Sequence, residues 1–153
     1  IPRRVNARSE SPIVIFIIGM RINSLWQIHR WLPVFLAMGR MLRELFANPD
    51  SGFLNVEYRT FSRSPLLIQY WRSFEDLERY ATDRESAHYP AWKRFNQTIR
   101  SSGTVGIWHE TYCVQAGMYE NIYVNMPPTG LGKVVTPEIV HTGINSARQR
   151  MQI

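Results

Sequence analysis

The stretch "IVIFIIGM", residues 13–20, restricts the possible folds of this chain more than any other part of the sequence. Its residues are apolar without alternation, which is typical of a β-strand buried on both faces at the centre of a sheet. The run is much shorter than the roughly 20 apolar residues that cross a bilayer, and polar residues precede it. The sequence therefore predicts an internal strand, and we expect no membrane partner.

The segments that follow alternate between helical and extended patterns. Helical spacing predicts a helix that Ser24 caps and that Pro33 should kink or divide. The runs "GFLNVEYRTF" and "SPLLIQYW" predict an antiparallel hairpin, and Ser73 should cap a short helix over "FEDLERYA". Pro90 is best placed at the first position of another helix, and "TVGIWHETYCV" is typical of a further strand.

This order of elements predicts a ferredoxin-like α+β fold, with an antiparallel sheet and helices on one face. The other face would remain open, and a second copy related by a twofold axis would cover it, so we expect a homodimer. We divide the chain into an N-terminal arm (residues 1–11), a dimeric α+β barrel domain (12–132) and a C-terminal tail (133–153).

Composition excludes several classes of function. The formal net charge is +6 over 153 residues, but the arginines are scattered without a nucleic-acid-binding motif, so we expect no nucleic-acid partner. A single cysteine allows no intramolecular disulfide and favours a reducing, cytoplasmic location. Five tryptophans in a chain of this size favour an apolar pocket or an interface.

Two histidines are the main candidates for chemistry. His88 should lie just ahead of the helix that begins at Pro90, where the positive helix end favours a neutral imidazole that accepts a proton or ligates haem iron. The alternative is a histidine that only packs against the helix start. His109 should share one strand face with Ile107 and Thr111, and that face points either to the pocket or to the partner subunit.

Polar and aromatic side chains complete the candidate site. Asn96 lies one helical turn after Trp92 and needs a partner or a ligand if buried. Arg21 closes the first strand and would anchor a carboxylate or enolate, unless it belongs to a surface ion pair. Six side chains are candidates for binding the substrate: Trp26, Trp71, Trp92, Tyr89, Asn23 and Phe95. The alternative for the tryptophans is ordinary core packing.

Several segments together resemble a known family: "FIIGMRIN", "WLPV", "GFL", "QYWRSFEDLERYA", "HYPAWKRFN", "VGIWHETY" and "YENIYVNMP". They occur in the order found in the monooxygenase-like family of dimeric α+β barrels, which includes a fumagillin-pathway enzyme and bacterial relatives. The resemblance covers roughly residues 12–132. It implies a pocket between sheet and helices, and oxygenation of a hydrophobic polyketide or terpenoid-type substrate in specialised metabolism.

Three hypotheses remain open on the sequence. In the first, an enzyme without cofactor uses His88 or His109 as a base, while Asn96 and Arg21 stabilise an oxyanion. Side-chain spacing indicates no metal site and no nucleotide loop. In the second, haem is bound with His88 or His109 as axial ligand, for dehydratase, peroxidase or isomerase chemistry. The third is a non-catalytic ligand-binding dimer. A cavity of about 300 Å³ or more would favour ligand binding.

Overall fold

The computed structural model describes residues 4–86, 88–139 and 146–151. The main sheet has four antiparallel strands: β2 (Ile13–Ile22), β3 (Phe53–Phe61), β4 (Ser64–Trp71) and β5 (Val105–Val114). Their order across the sheet is β3-β4-β2-β5, and helices cover one face. The ferredoxin-like α+β fold expected from the sequence is confirmed.

The apolar run of residues 13–20 forms the internal strand that the sequence predicts. β2 pairs with β4 on one side, where Phe16 lies opposite Gln69, and with β5 on the other, where Phe16 lies opposite Thr111. Even-numbered residues of β2 face the helices and odd-numbered residues face away, since Val14 belongs to the cluster under the helices and Ile13 does not. The strand therefore has cover on both faces at Ile13 and Val14, whereas residues 15–18 are half-buried.

The first helix, α1 (Ile28–Ala47), begins later than the sequence predicts. Ser24 does not cap it, because Gln27 is at the N-cap position and residues 23–27 form a loop. Pro33 does not divide the helix, since it lies in the second turn and removes only the bond to the carbonyl of His29. The apolar side of α1 packs on the sheet through Val34, Met41 and Leu45, among others.

The hairpin and the second helix agree with the sequence. β3 and β4 pair through a two-residue turn, in which Ser62 has φ of 52°. The Oγ of Ser73 accepts a hydrogen bond of 3.1 Å from the amide of Asp76 at the start of α2 (Phe74–Thr82). Asp76 is buried and pairs with Arg72 and Arg79, which ties this helix to the end of β4.

The third helix, α3 (His88–Arg94), starts two residues before the predicted position. Pro90 therefore lies inside the first turn, where a missing N–H breaks no helical bond. A wider turn, Phe95–Ile99, and a 3₁₀ turn, Arg100–Ser102, follow before β5 begins. His88 is thus the first residue of the helix rather than a residue ahead of it.

A second sheet lies at the ends of the chain, in the order β6-β1-β7: β1 (Arg4–Ala7), β6 (Tyr123–Val124) and β7 (Pro137–Ile139). The N-terminal arm (residues 1–11) thus contributes a strand, β1. A short helix, α4 (Ala147–Met151), follows. Ile13 and Tyr70 on the outer face of the main sheet are buried with Leu131. The expectation that this face is wholly open is wrong, because residues 119–135 cover one end of it.

Candidate functional site

The register of β5 decides which way His109 points. His109 lies directly opposite Ile18 of β2, and its ring centroid is 5.6 Å from that of Phe16. Both β2 residues belong to the helix-facing side, so His109 faces the helices and not the outer face. Of the two orientations left open by the sequence, the structure has the one that the pocket hypothesis requires.

The surface around His109 is open rather than enclosed. Ile107 is 41% exposed, and His109 and Thr111 are also exposed. Phe16 and Ile18 are half-buried beside them. We call this surface the β5 shelf, and it consists of Phe16, Ile18, Ile107, His109 and Thr111. It combines an apolar floor with one imidazole and one hydroxyl.

Gln69 of β4 is a polar residue that the sequence analysis missed. It is 1% exposed, on the helix-facing side, and directly opposite Phe16. Its Oε1 accepts a 2.9 Å hydrogen bond from the indole Nε1 of Trp71, which fixes the orientation of the amide. Its Nε2 has no partner within the described part of the chain. The signal was available in "LLIQYW", where Gln69 alternates with Leu67 and Trp71.

Phe16 separates the two polar groups. It is the cross-strand neighbour of Gln69 and also touches the ring of His109. Gln69 and His109 lie two strands apart and two residues out of line, which is about 12 Å between their backbones. A flat apolar molecule lying along Phe16 would therefore have the exposed imidazole near one end, whereas the Gln69 amide is buried beyond the Phe16 ring.

None of the candidate residues on the third helix is among the five residues that form the β5 shelf. The side chain of His88 lies outside the described residues. Asn96 has a hydrogen-bond partner, since its Nδ2 donates to the carbonyl of Trp92 at 3.1 Å. Trp92 is 58% exposed and stacks on Tyr89. Phe95 packs in the second core cluster with Met20, among others. Asn96 is thus accounted for by its own helix without a ligand.

Arg21 and Asn23 lie away from His109. Arg21 is an odd-numbered residue of β2 and is paired with Gly106, so it is on the outer face of the sheet. Asn23 donates from Nδ2 to the carbonyl of Gly103 at 2.9 Å. The structure therefore does not bring Arg21 together with His109 within one chain, because alternation along the strand places them on opposite faces.

The tryptophans do not enclose a pocket. Trp71 is fully buried in the core between Phe53 and Tyr80, and Trp26 is 96% exposed. The cavity described in the structure, about 10 Å³, lies instead beside the second sheet and is lined by residues such as Asn6 and Tyr119. It holds about one water molecule. The described residues therefore do not form the expected tryptophan-lined cavity of about 300 Å³ or more. The candidate site that they form is the open β5 shelf.

Glu57 organises the covered end of the outer face. Its carboxylate accepts hydrogen bonds from the Gly130 amide at 2.9 Å and from Arg59 at 2.8 Å, and it pairs with Lys133 at 2.8 Å. Burial alone would raise the pKa of this carboxyl, but the bonds from Lys133, Gly130 and Arg59 outweigh it and lower the pKa. Burial raises the pKa of the nearby Tyr70 phenol. This cluster fixes the segment around Gly130 to the sheet.

Two further properties bear on the function. In the described ranges, no group of three or more His, Cys, Asp or Glu side chains is placed to hold a metal ion. Over the same ranges, none of the helices combines the length and the apolar character needed to pass through a bilayer.

Comparison with known proteins identifies the family. The family described as "Monooxygenase af470-like" matches residues 13–131, which is most of the chain. The protein therefore belongs to the monooxygenase af470-like family, and the resemblance seen in the sequence motifs is confirmed.

One curated relative and two solved structures illustrate the similarity. Monooxygenase af470 of Aspergillus fumigatus is 33% identical over 104 residues, which are 65% of this chain but only 36% of that protein. An aldoxime dehydratase, solved with butyraldoxime, has a TM-score of 0.58 at 18% identity, over 97% of this chain and 42% of its own. SnoaB, a cofactor-independent oxygenase of Streptomyces nogalater, has a TM-score of 0.45 at 12% identity, over 67% and 92%. At these identities the solved structures show the fold alone.

Proposed function

We propose that this protein is a monooxygenase-like enzyme that oxygenates a hydrophobic small molecule of polyketide or terpenoid type on the β5 shelf, with no metal or nucleotide cofactor. The observation that carries the proposal is the placement of the exposed His109 imidazole on the helix-facing side, against Phe16. Family membership supports the oxygenase chemistry. Because the chain spans about a third of its curated relative, the activity of that longer protein is a guide to the reaction class only.

The chemistry begins with removal of a proton. His109, when neutral, accepts a proton from a substrate carbon that a neighbouring carbonyl or phenol makes acidic. The resulting carbanion passes electrons to dioxygen and forms a carbon–oxygen bond. Loss of water from that peroxide turns a methylene carbon into a carbonyl, with one oxygen atom retained and the other leaving as water. The substrate supplies all the electrons, so no external reductant is required.

Gln69 would stabilise the charge that this step creates. The Nε2 group has an unused donor and is held in place by the bond between Oε1 and Trp71. Donation to the substrate oxygen that becomes an enolate would satisfy the buried amide and lower the barrier to deprotonation. Since Gln69 is buried and Phe16 of the shelf lies next to it, the Phe16 ring must shift for the substrate oxygen to reach Nε2.

A test follows with anthrone as the probe, because its methylene group is acidic and its oxidation to anthraquinone can be followed by absorbance. We expect dioxygen consumption to match anthraquinone formation in the wild-type protein. His109→Phe should lower the rate by at least about a hundredfold. His29→Phe, on the exposed surface of α1, is the matched control and should keep the rate. Equal rates in both variants would refute the role of His109.

The haem hypothesis makes a different prediction for the same protein. A histidine ligand is available in His109, and the apolar surfaces of Phe16 and Ile107 adjoin it. The aldoxime dehydratase similarity supports only the fold. Addition of haem to the purified protein should give no Soret shift if the cofactor-free proposal holds. A shift that His109→Phe abolishes would favour haem as a bound cofactor.

We also propose that the protein is a homodimer through the uncovered part of the outer face. Trp108 and Tyr112 project from that face of β5 and are 42% and 49% exposed. Large aromatic side chains grouped on one sheet face are typical of an interface core. A second copy placed there would leave the β5 shelf, on the other side of the sheet, open to substrate.

A further inference from the structure

One end of the molecule combines the most exposed aromatic side chains with arginines that form no ion pair among the described residues. Trp26 is 96% exposed and Phe61 is 82% exposed, far more than is usual for tryptophan and phenylalanine. Trp26 lies in the loop between β2 and α1, and Phe61 lies at the tip of the β3–β4 hairpin. The Ile22 amide donates to the Arg63 carbonyl at 2.9 Å, which holds this hairpin tip beside the end of β2.

We call this surface the basic tip, and it consists of Arg21, Leu25, Trp26, Ile28, Phe61 and Arg63. The loop is held in place, because the indole Nε1 of Trp31 donates to the carbonyl of Leu25 at 3.1 Å. Leu25 is 48% exposed and Ile28 is 53% exposed. The apolar residues of the basic tip are therefore presented to solvent by ordered backbone.

The charge of this end is one-sided. The stretches 11–43 and 58–74, which supply the basic tip, contain seven arginines and no Asp or Glu. Two of these seven, Arg59 and Arg72, are outside the basic tip and pair with Glu57 and Asp76. Arg21 and Arg63 form no ion pair with any residue that the structure describes. Their charge is available to an external anionic surface.

We propose that the basic tip docks on an anionic lipid surface, with Trp26 and Phe61 inserted at the headgroup level and Arg21 and Arg63 contacting lipid phosphates. Tryptophan favours the membrane interface because its ring is apolar and its N–H is polar. Arginines near an anionic leaflet add electrostatic attraction. This contact is peripheral, so it differs from the bilayer crossing that the length of residues 13–20 argues against.

The test is co-flotation of the full chain with vesicles. Wild-type protein should bind phosphatidylglycerol–phosphatidylcholine vesicles, bind pure phosphatidylcholine vesicles much more weakly, and be released by high salt. The double variant Trp26→Ser/Phe61→Ser should bind at least about tenfold more weakly. Each of Arg21→Gln and Arg63→Gln should weaken binding by about fivefold.

Matched controls come from the opposite end of the protein. Met118→Ser removes another exposed apolar side chain, 62% exposed, and Arg43→Gln removes an exposed arginine farther along α1. Both should bind vesicles as the wild type does, and circular dichroism should show that all variants are folded. Equal binding to anionic and neutral vesicles, or wild-type binding by the variants of the basic tip, would overturn the proposal. The proposal would also be overturned if those variants bound vesicles normally but had a different solution mass. That result would assign the surface to contact with a second copy of the chain.

Discussion

Gln69 illustrates how one buried amide links stability to function. An unsatisfied buried donor costs on the order of 1–3 kcal/mol, yet the Nε2 of Gln69 has no described partner and the side chain is 1% exposed. The bond from Trp71 accounts for only the other end of the amide. Under the proposed function, a substrate oxygen that accepts a hydrogen bond from Nε2 would supply the missing partner.

Replacement of Gln69 by Leu separates the effect of this side chain on stability from its proposed effect on activity. The change removes the unsatisfied donor but leaves the Trp71 N–H without its acceptor, so the two effects oppose each other. We expect the free energy of unfolding, measured with urea, to stay within about 1 kcal/mol of the wild type. Oxidation of anthrone should fall sharply. A stable variant with unchanged activity would show that Gln69 does not contact the substrate.

Glu57 gives a prediction with a defined sign in pH. Its pKa in the folded protein is lowered from the usual 4.5, so the ionised carboxylate stabilises the native state above that value. This contribution is lost as the pH falls through the lower folded pKa. Glu57→Gln should therefore lower the free energy of unfolding by about 1–3 kcal/mol at neutral pH, and the difference should shrink in acid.

The control for that experiment is Glu78→Gln on α2, away from the outer face of the sheet. The side chain of Glu78 is exposed. Its removal should change stability by less than about 1 kcal/mol. A pH-independent difference between wild type and Glu57→Gln in urea titrations would mean that the ionised carboxylate does not hold the Gly130 segment.

Single-residue placement was the hardest part to predict from the sequence. Alternation gave the face that His109 shares with Ile107, but only the pairing with β2 showed that this face meets the helices. Trp71 and Trp26 have similar apolar surroundings in sequence, yet one is buried and the other 96% exposed. Exposure of an aromatic residue depends on distant segments, which local pattern does not specify.

At the scale of elements, local signals predicted the structure well where they were strong. The apolar β2, the β3–β4 hairpin and the Ser73 cap of α2 all follow from period, turn residues and capping chemistry. β1 was missed because it has only four residues, Arg4–Ala7, and pairs with segments more than 100 residues away. No local pattern marks such a strand.

The contact between β2 and β5 on the outer face can be tested at Gly19. A Cβ added there would lie 2.6 Å from Nε1 of Trp108, so Gly19→Ala should displace the indole. We expect a loss of about 1 kcal/mol in urea unfolding and a red shift in tryptophan fluorescence. In a Trp108→Ala background the same change should cost little. An equal cost in both backgrounds would locate the strain elsewhere.

At the scale of the whole molecule, the two faces of the sheet have separate proposed tasks. The helix-facing side carries the β5 shelf, and the outer face is covered at one end by the chain itself and exposed at Trp108 and Tyr112. The homodimer predicted from an open sheet is thus proposed over a smaller area than the sequence indicated. The fold could be predicted because it follows from element order. The pocket could not, because it depends on packing between elements.

The dimer proposal predicts a solution mass twice that of one chain. Trp108→Glu places a charge in the interface and should give a monomer in sedimentation equilibrium, since burying an unpaired charge is strongly unfavourable. Met118→Ser, which is outside this face, should remain dimeric. A wild-type protein that sediments as a single chain at high concentration would exclude the interface.

The central claim is that a hydrophobic ligand lies on the β5 shelf between His109 and Gln69. The most direct measurement is a titration with 1-naphthol, followed by NMR of protein labelled with ¹⁵N in the histidine and glutamine side chains. The claim predicts that the His109 imidazole and the Gln69 side-chain amide shift together with one dissociation constant, while His29 is unaffected. Shifts confined to other side chains, with His109 and Gln69 unchanged at saturation, would contradict it.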